Sequence, residues 1–160
     1  MTTDDSDPLA LALGRIPSGL FLVTTLEDDR PLGFVASFVQ QVGFRPPTVC
    51  VAMGKERAPL AAMRAKGSFA ISVLDRASEK LMGRFFKQHG PGESPFDGLA
   101  TTAGPSGSPV LPEALAWLDC RLAGEHDAGD HVVVFGEVLD GALAREGEPS
   151  VHLRRNGLTY

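Results

Sequence analysis

The sequence predicts a mainly β protein, an antiparallel barrel with short helices on its rim. Three observations lead there. The apolar runs are brief, rich in β-branched and aromatic residues, and separated by recurrent turn signals. The links between them are mostly too short for repeated βαβ crossovers. Helical spacing occurs only in short stretches, which suits two or three helices inserted between strands better than a layer over a parallel sheet.

Residues 1–6 read as a frayed tail. Asp7 offers an N-cap with Pro8 at the first helical position, and the LALAL behind them makes a short helix that Gly14 and Pro17 end. GLFLVTTL, residues 19–26, is a strand, and EDDRP is a turn cluster. LGFVASFVQQV, residues 32–42, then reads as one continuous second strand completing a hairpin. Arg45-Pro46-Pro47 interrupts the ladder because proline has no N–H to give it. TVCVAM is a central strand, and after Gly54-Lys55-Glu56-Arg57 a helix over 59–65 stops at Gly67. FAISVL is another strand. Ser78 and Glu79 open a further helix whose apolar face would be Leu81, Met82, Phe85 and Phe86.

Residues 89–109 hold five glycines and four prolines, which reads as an ordered surface loop anchored by Phe96 and Leu99. ALAWLDCRLAG fits helix or strand; the alternation of Leu118, Cys120 and Leu122 against Asp119 and Arg121 favours strand. HVVVFGEVLDGALA is the clearest strand, and VHLRR is a last one ending in a turn at Asn156-Gly157. With no internal repeat and no linker, residues 1–160 are expected to form a single domain.

The 160 residues carry a net charge of −5, with 43% hydrophobic and 22% charged side chains. That balance argues against nonspecific binding to nucleic acid or to an anionic membrane, though it leaves room for a local basic pocket. MTTDDSDP has neither the basic nor the apolar part of a secretory signal, and no apolar run approaches a membrane span. Cys50 and Cys120 lie far apart in apolar segments, as buried strand residues of a protein in a reducing cytoplasm would.

Several chemistries are missing from the sequence. No P-loop and no G-x-S-x-G elbow occurs, and the glycines around Gly90 neither follow a strand nor open a helix. His89, His126, His131 and His152 lack ligand spacing, so no metal site is expected. A bound organic cofactor is then the natural carrier of any chemistry.

Three stretches point to one. GFVASFVQQVGFRPPTVCVAMGKERA (33–58), GSFAISVLDRASEKLMGRFFKQHGPGESPFDG (67–98), and SPVLPEALAWLDCRLAGEHDAGDHVVVFGEVLDG with the closing VHLRRNGLTY follow one another in order. Together they resemble the flavin reductase family of FMN-binding split β-barrels. They are most similar to the flavin reductase domain at the C-terminus of some cyanobacterial flavodiiron proteins.

The resemblance implies an NAD(P)H-dependent flavin reductase with FMN, or FAD as the second candidate, bound at the barrel rim. NADH or NADPH would be the co-substrate. A homodimer and a separate electron-acceptor protein are the partners it implies. Ser37 and Phe38 match positions lining the flavin ring and ribityl chain, and Val39, Ala52, Met53 and Ala58 complete the surrounding set. Lys55 and Arg57 precede a helix N-terminus, where free N–H groups and a positive dipole end suit the FMN phosphate. Arg57 can add a bidentate contact and Lys55 a point charge. Phe85 matches an aromatic packed near the flavin, although core packing explains a phenylalanine on a helix face equally well. Gly129-Asp130-His131 matches a family motif whose histidine is implicated in holding the nicotinamide, with Asp130 capping the turn. Positioning is most of the catalysis in hydride transfer, since the reacting atoms must come within roughly 3–3.5 Å. The chain departs from the family's serine- and threonine-rich stretch, with Phe38-Val39-Gln40-Gln41 and Lys55-Glu56-Arg57-Ala58 in those places. A non-enzymatic FMN protein passing electrons between partners, and a flavin-free ligand-binding barrel, are the alternatives.

Overall fold

A computed structural model describes residues 7–160; the tail expected at 1–6 lies outside them. The chain opens with α1 (Pro8–Leu13), where the Asp7 carboxylate accepts from the Leu9 N–H at 2.9 Å. After β1 (Ser18–Gly19), β2 (Phe21–Glu27) and β3 (Arg30–Ala36) make the expected hairpin, with Glu27 opposite Arg30.

The stretch read as one second strand is two. β3 leaves its partner β2 at the Phe21–Ala36 pair, and β4 (Val39–Phe44) begins against β5 (Pro47–Gly54) at the Val39–Val51 pair. The main sheet explains the break. Its seven antiparallel strands run β3-β2-β6-β9-β10-β5-β4, so β3 and β4 are its opposite edges. Here β6 is Ser68–Val73, β9 is Ala116–Ala128 and β10 is His131–Leu143. Ser37 and Phe38 alone carry the chain across the gap where the curled sheet fails to close, and the split in the barrel lies there. The apolar sequence runs straight through because both flanking strands turn side chains toward the same interior.

That interior holds Val23, Phe34, Val51, Met53, Phe69 and Val134, all buried. Leu60 and Met63 of α2 (Ala58–Lys66) cover it from one side. A second cluster of Leu22, Leu74, Leu81 and Leu111 packs on the outer side of β2 and β6, which are therefore buried on both faces.

Of residues 114–124, read as strand, Ala116 onward is strand, in β9, and Ala114 and Leu115 precede it; the alternation that favoured strand is imperfect. Cys120 is fully buried, and so is Asp119 on the opposite face. The loop at Gly104–Ser108 folds over Asp119, whose carboxylate accepts from the N–H and hydroxyl of Ser106, both at 2.6 Å. Flanking that turn, β7 (Thr102–Ala103) pairs with β8 (Pro109–Val110), and Phe96 and Leu99 anchor the longer 89–109 segment against the body as expected. The helix expected from Ser78 is a 3₁₀ turn at Glu79–Leu81 continued by α3 (Met82–Phe86); Leu81 enters the core, whereas Phe86 is 70% exposed.

The last strand is shorter than expected. β11 (Val151–His152) pairs with β1, and the chain then turns onto the end of α1. The Gly157 N–H donates to the Ala10 carbonyl at 2.8 Å, and a Cβ at Gly157 would sit 2.1 Å from that of Leu13. Only glycine allows this approach, which fixes where Arg154 and Tyr160 emerge.

Candidate functional site

The split in the barrel opens a cavity of about 340 Å³. Phe34, Ser37, Phe38, Ala52, Arg57 and Tyr160 are among its lining residues, with Met82 and Phe86 of α3 on one side. This volume and an apolar wall with a few polar groups are what a small-molecule site requires. A wider apolar groove of about 780 Å³ lies across the same link and shares Ser37, Phe38 and Ala52 with the cavity.

Local structure puts the polar groups at the mouth. Strand β5 ends at Gly54, and the chain turns so that the Arg57 N–H bonds the Gly54 carbonyl at 3.1 Å before α2 begins. Pro59 has no N–H, and that of Leu60 is engaged by the Arg57 carbonyl at 3.0 Å. The first turn of α2 therefore offers few free donors, and the Arg57 side chain is the principal anion-binding group. Among the described residues Arg57 has no ion-pair partner. Lys55 behaves differently: its ammonium pairs with Asp127 at 2.6 Å on the β9–β10 hairpin and does not line the cavity.

That hairpin turns in two residues, Gly129 and Asp130. Gly129 has φ of 87°, which suits a primed turn and a glycine at its first position. The turn sets His131 opposite Gly54 at the start of β10. Asp130 Oδ1 lies 2.8 Å from His131 Nδ1, and the Tyr160 hydroxyl bonds His131 Nε2. The imidazole beside Asp130 holds that carboxyl below the usual carboxylate range. Burial raises the Tyr160 phenol above its ordinary value, while Arg57 and Arg154 pull against that rise. The rings of Phe38, His131 and Tyr160 stand 5.8–6.0 Å apart, and the Arg154 guanidinium lies 4.7 Å over Phe38.

The structure thus gathers Ser37, Phe38, Ala52, Met53 and Arg57 around one cavity, with His131 linked to its mouth through Tyr160. Met53 is 2% exposed and belongs mainly to the core. Val39 lines the wider groove instead, and Ala58 is an exposed first residue of α2. Phe85 turns away from the cavity to meet Phe96 edge-on at 5.3 Å, so its neighbour Phe86 supplies the aromatic wall. Sequence reasoning missed Phe86, Arg154 and Tyr160. Tyr160 is the sole tyrosine and follows the Asn156-Gly157 turn, but nothing in the pattern says that this turn returns the chain to the site.

The model of the flavin reductase-like domain matches residues 13–158. The chain belongs to the flavin reductase-like family. It is 37% identical over 158 residues to diflavin flavoprotein A 1 of Synechocystis, covering 98% of this chain and 27% of that protein. It is 34% identical over 151 residues to putative diflavin flavoprotein A 3 of Nostoc, covering 93% and 26%. The chain thus spans about a quarter of the length of these relatives. Among solved structures, a nitrilotriacetate monooxygenase component B homologue from Mycobacterium thermoresistibile superposes with a TM-score of 0.84 at 27% identity, covering 94% of this chain and 83% of the other. The NADH:FAD oxidoreductase of Streptomyces globisporus gives 0.81 at 30% identity, covering 95% and 92%. Among the described residues no helix is long and apolar enough to cross a membrane.

The residues present suit a flavin. Phe38 and Phe86 supply flat apolar cover, Ser37 a small hydroxyl, and Arg57 a cation, without an ion-pair partner among the described residues, for a phosphate.

Proposed function

We propose that this chain is an NAD(P)H:FMN oxidoreductase, and the observation that carries the reading is the cavity at the split. It joins aromatic cover and Arg57, which has no ion-pair partner among the described residues, and Tyr160 links its mouth to the Asp130–His131 pair. FMN supplies the capacity to accept a hydride at N5 from a reduced nicotinamide. Arg57 would hold the phosphate, and Ser37 and Phe38 would seat the ring against Ala52. Burying the flat face of the ring in this apolar cleft excludes water from the reacting edge. His131, fixed by Asp130, would orient the nicotinamide at the mouth. Support also comes from similarity to the Streptomyces oxidoreductase, which is also known in complex with NAD and FAD fragments; it makes FAD the rival flavin.

A second reading, an FMN carrier that passes electrons without a nicotinamide, draws on the diflavin flavoproteins among the relatives. One experiment separates them. Protein loaded with FMN and desalted is followed anaerobically by visible absorbance as NADH and then NADPH is added. Rapid bleaching supports the reductase and names its donor. Retained flavin that ignores both would overturn it in favour of the carrier.

A homodimer is part of the proposal, with the wider apolar groove beside Val39 and Val151 as the surface a second copy would cover. A separate acceptor protein would then take the electrons.

A further inference from the structure

Both ring nitrogens of His131 are already taken within the protein. Asp130 occupies Nδ1 and the Tyr160 hydroxyl occupies Nε2. A carboxylate can only accept, so in the neutral ring the proton sits on Nδ1 and Nε2 is the acceptor. The Tyr160 O–H must then donate to Nε2. The raised pKa of the phenol keeps that proton in place across neutral pH. What remains available is the lone-pair side of the phenol oxygen. Tyr160, unlike His131, lines the cavity. It is 74% exposed, so an incoming molecule can reach it without displacing core.

The surroundings hold the phenol in place. Its ring packs against Phe38 at 5.8 Å, Phe38 is capped by Arg154, and the Arg154 backbone is tied to Arg15 through its carbonyl at 3.2 Å. Leu158 N–H bonds the Asn156 side chain at 2.8 Å, fixing the turn that delivers Tyr160.

We propose that Tyr160 is the residue that touches the nicotinamide, its hydroxyl oxygen accepting a hydrogen bond from the carboxamide N–H₂, with His131 acting through it as a positioning residue. This rests on the reductase reading above. It is also economical: Asp130 fixes the imidazole, the imidazole fixes the phenol proton, and the phenol oxygen is left as a pure acceptor facing an amide donor. The nicotinamide need not break the Tyr160–His131 bond to bind.

The test uses the full chain loaded with FMN, anaerobic flavin bleaching, and the variants Tyr160→Phe, His131→Ala and their combination. Phenylalanine keeps the ring and its packing, and the substituted side chain is exposed, so folding is preserved. Loss of one neutral hydrogen bond predicts that Tyr160→Phe raises KM for the reduced nicotinamide about fivefold, with kcat within about twofold and the FMN Kd unchanged. His131→Ala should raise KM by a similar factor, and the double variant no further than either single one. A reduced dinucleotide bearing acetylpyridine has no amide N–H to donate. The wild type should favour the natural nicotinamide over it about fivefold more than Tyr160→Phe does.

An unchanged KM in Tyr160→Phe overturns the assignment. A lowered KM does so too, since it makes Tyr160 an obstruction. A double variant that multiplies the two losses also overturns it, by giving His131 its own contact. Flavin in the wild type that neither nicotinamide bleaches removes the reductase reading and this assignment together. Bleaching in the wild type with an indifferent Tyr160→Phe removes the assignment alone.

Discussion

The two halves of β9 carry carboxylates in opposite settings. Near its start Asp119 is fully buried and saturated by Ser106, under a loop that closes over it. Toward its end Glu125 and Asp127 are exposed and pair with Arg64 and Lys55 across the surface. In the hairpin turn itself, Asp130 is exposed and makes its side-chain bond to His131. The buried half spends its charge on architecture: it ties residues 104–108 to the sheet and leaves nothing for a ligand. The exposed half keeps its carboxylates in solvent, where side chains can adjust at small cost, and leads into the turn that sets His131. Cys120 obeys the same division, since burial above all, with Asp119 adding to it, pushes its thiol up to about 12 and leaves it chemically inert.

The sharpest way to break this contrast is Asp119→Ala. It would remove the buried acceptor of the half-buried Ser106 donors and open space under the loop, and a loss of about 2–4 kcal/mol is expected. Urea denaturation followed by the fluorescence of Trp117, in the same strand, would read it. A change below about 1 kcal/mol would mean that the loop rearranges freely and that the architectural role is wrong.

A second buried-side carboxylate gives a pH signature. The Arg145 guanidinium, with help from Ser78, holds Asp75 down to about 2. Its pKa is lower folded than unfolded, so its stabilisation is complete above about pH 4 and is lost as pH falls toward 2. Arg145 also donates to the Glu113 and Ala114 carbonyls, tying the stretch after β10 to the segment before β9. Arg145→Ala should move the acid transition to higher pH, as seen by circular dichroism. An unmoved transition would place the acid sensitivity elsewhere.

What the sequence made legible divides along the same line. The strands over 19–26, 48–53, 69–74 and 131–144 and the helix after Arg57 were readable because their apolar periodicity and their proline and glycine boundaries are local. The family signature likewise brought Ser37, Phe38 and Arg57 to one place. What escaped was decided by closure of the sheet. The break at Ser37-Phe38 is invisible in LGFVASFVQQV because both strands face one interior. The burial of Asp119 depends on a loop fifteen residues away in sequence at its Gly104 end. Phe85 and Phe86 are adjacent on a short helix, and only tertiary packing sends one to Phe96 and the other to the cavity.

On the exposed side, the two basic residues of the β5–α2 turn make the finest comparison. Arg57 lines the cavity without an ion-pair partner among the described residues, so Arg57→Ala should weaken FMN about tenfold while leaving riboflavin nearly unchanged. Equal weakening of both flavins, measured by fluorescence titration, would remove the phosphate role.

Lys55→Ala should do the least. Its ammonium is committed to Asp127, both groups stand substantially in solvent, and an exposed pair of this kind contributes little to stability. Reaching a phosphate in the cavity would require breaking that pair and turning the side chain off the hairpin. The expected outcome is an FMN affinity within about twofold of the unsubstituted protein and an unmoved denaturation midpoint. A loss of FMN matching that of Arg57→Ala, with riboflavin unaffected, would show that the Lys55–Asp127 pair opens when the cofactor arrives. The hairpin bearing Asp130 and His131 would then answer to the phosphate, and the cavity and the β9–β10 turn would be coupled through a single ammonium.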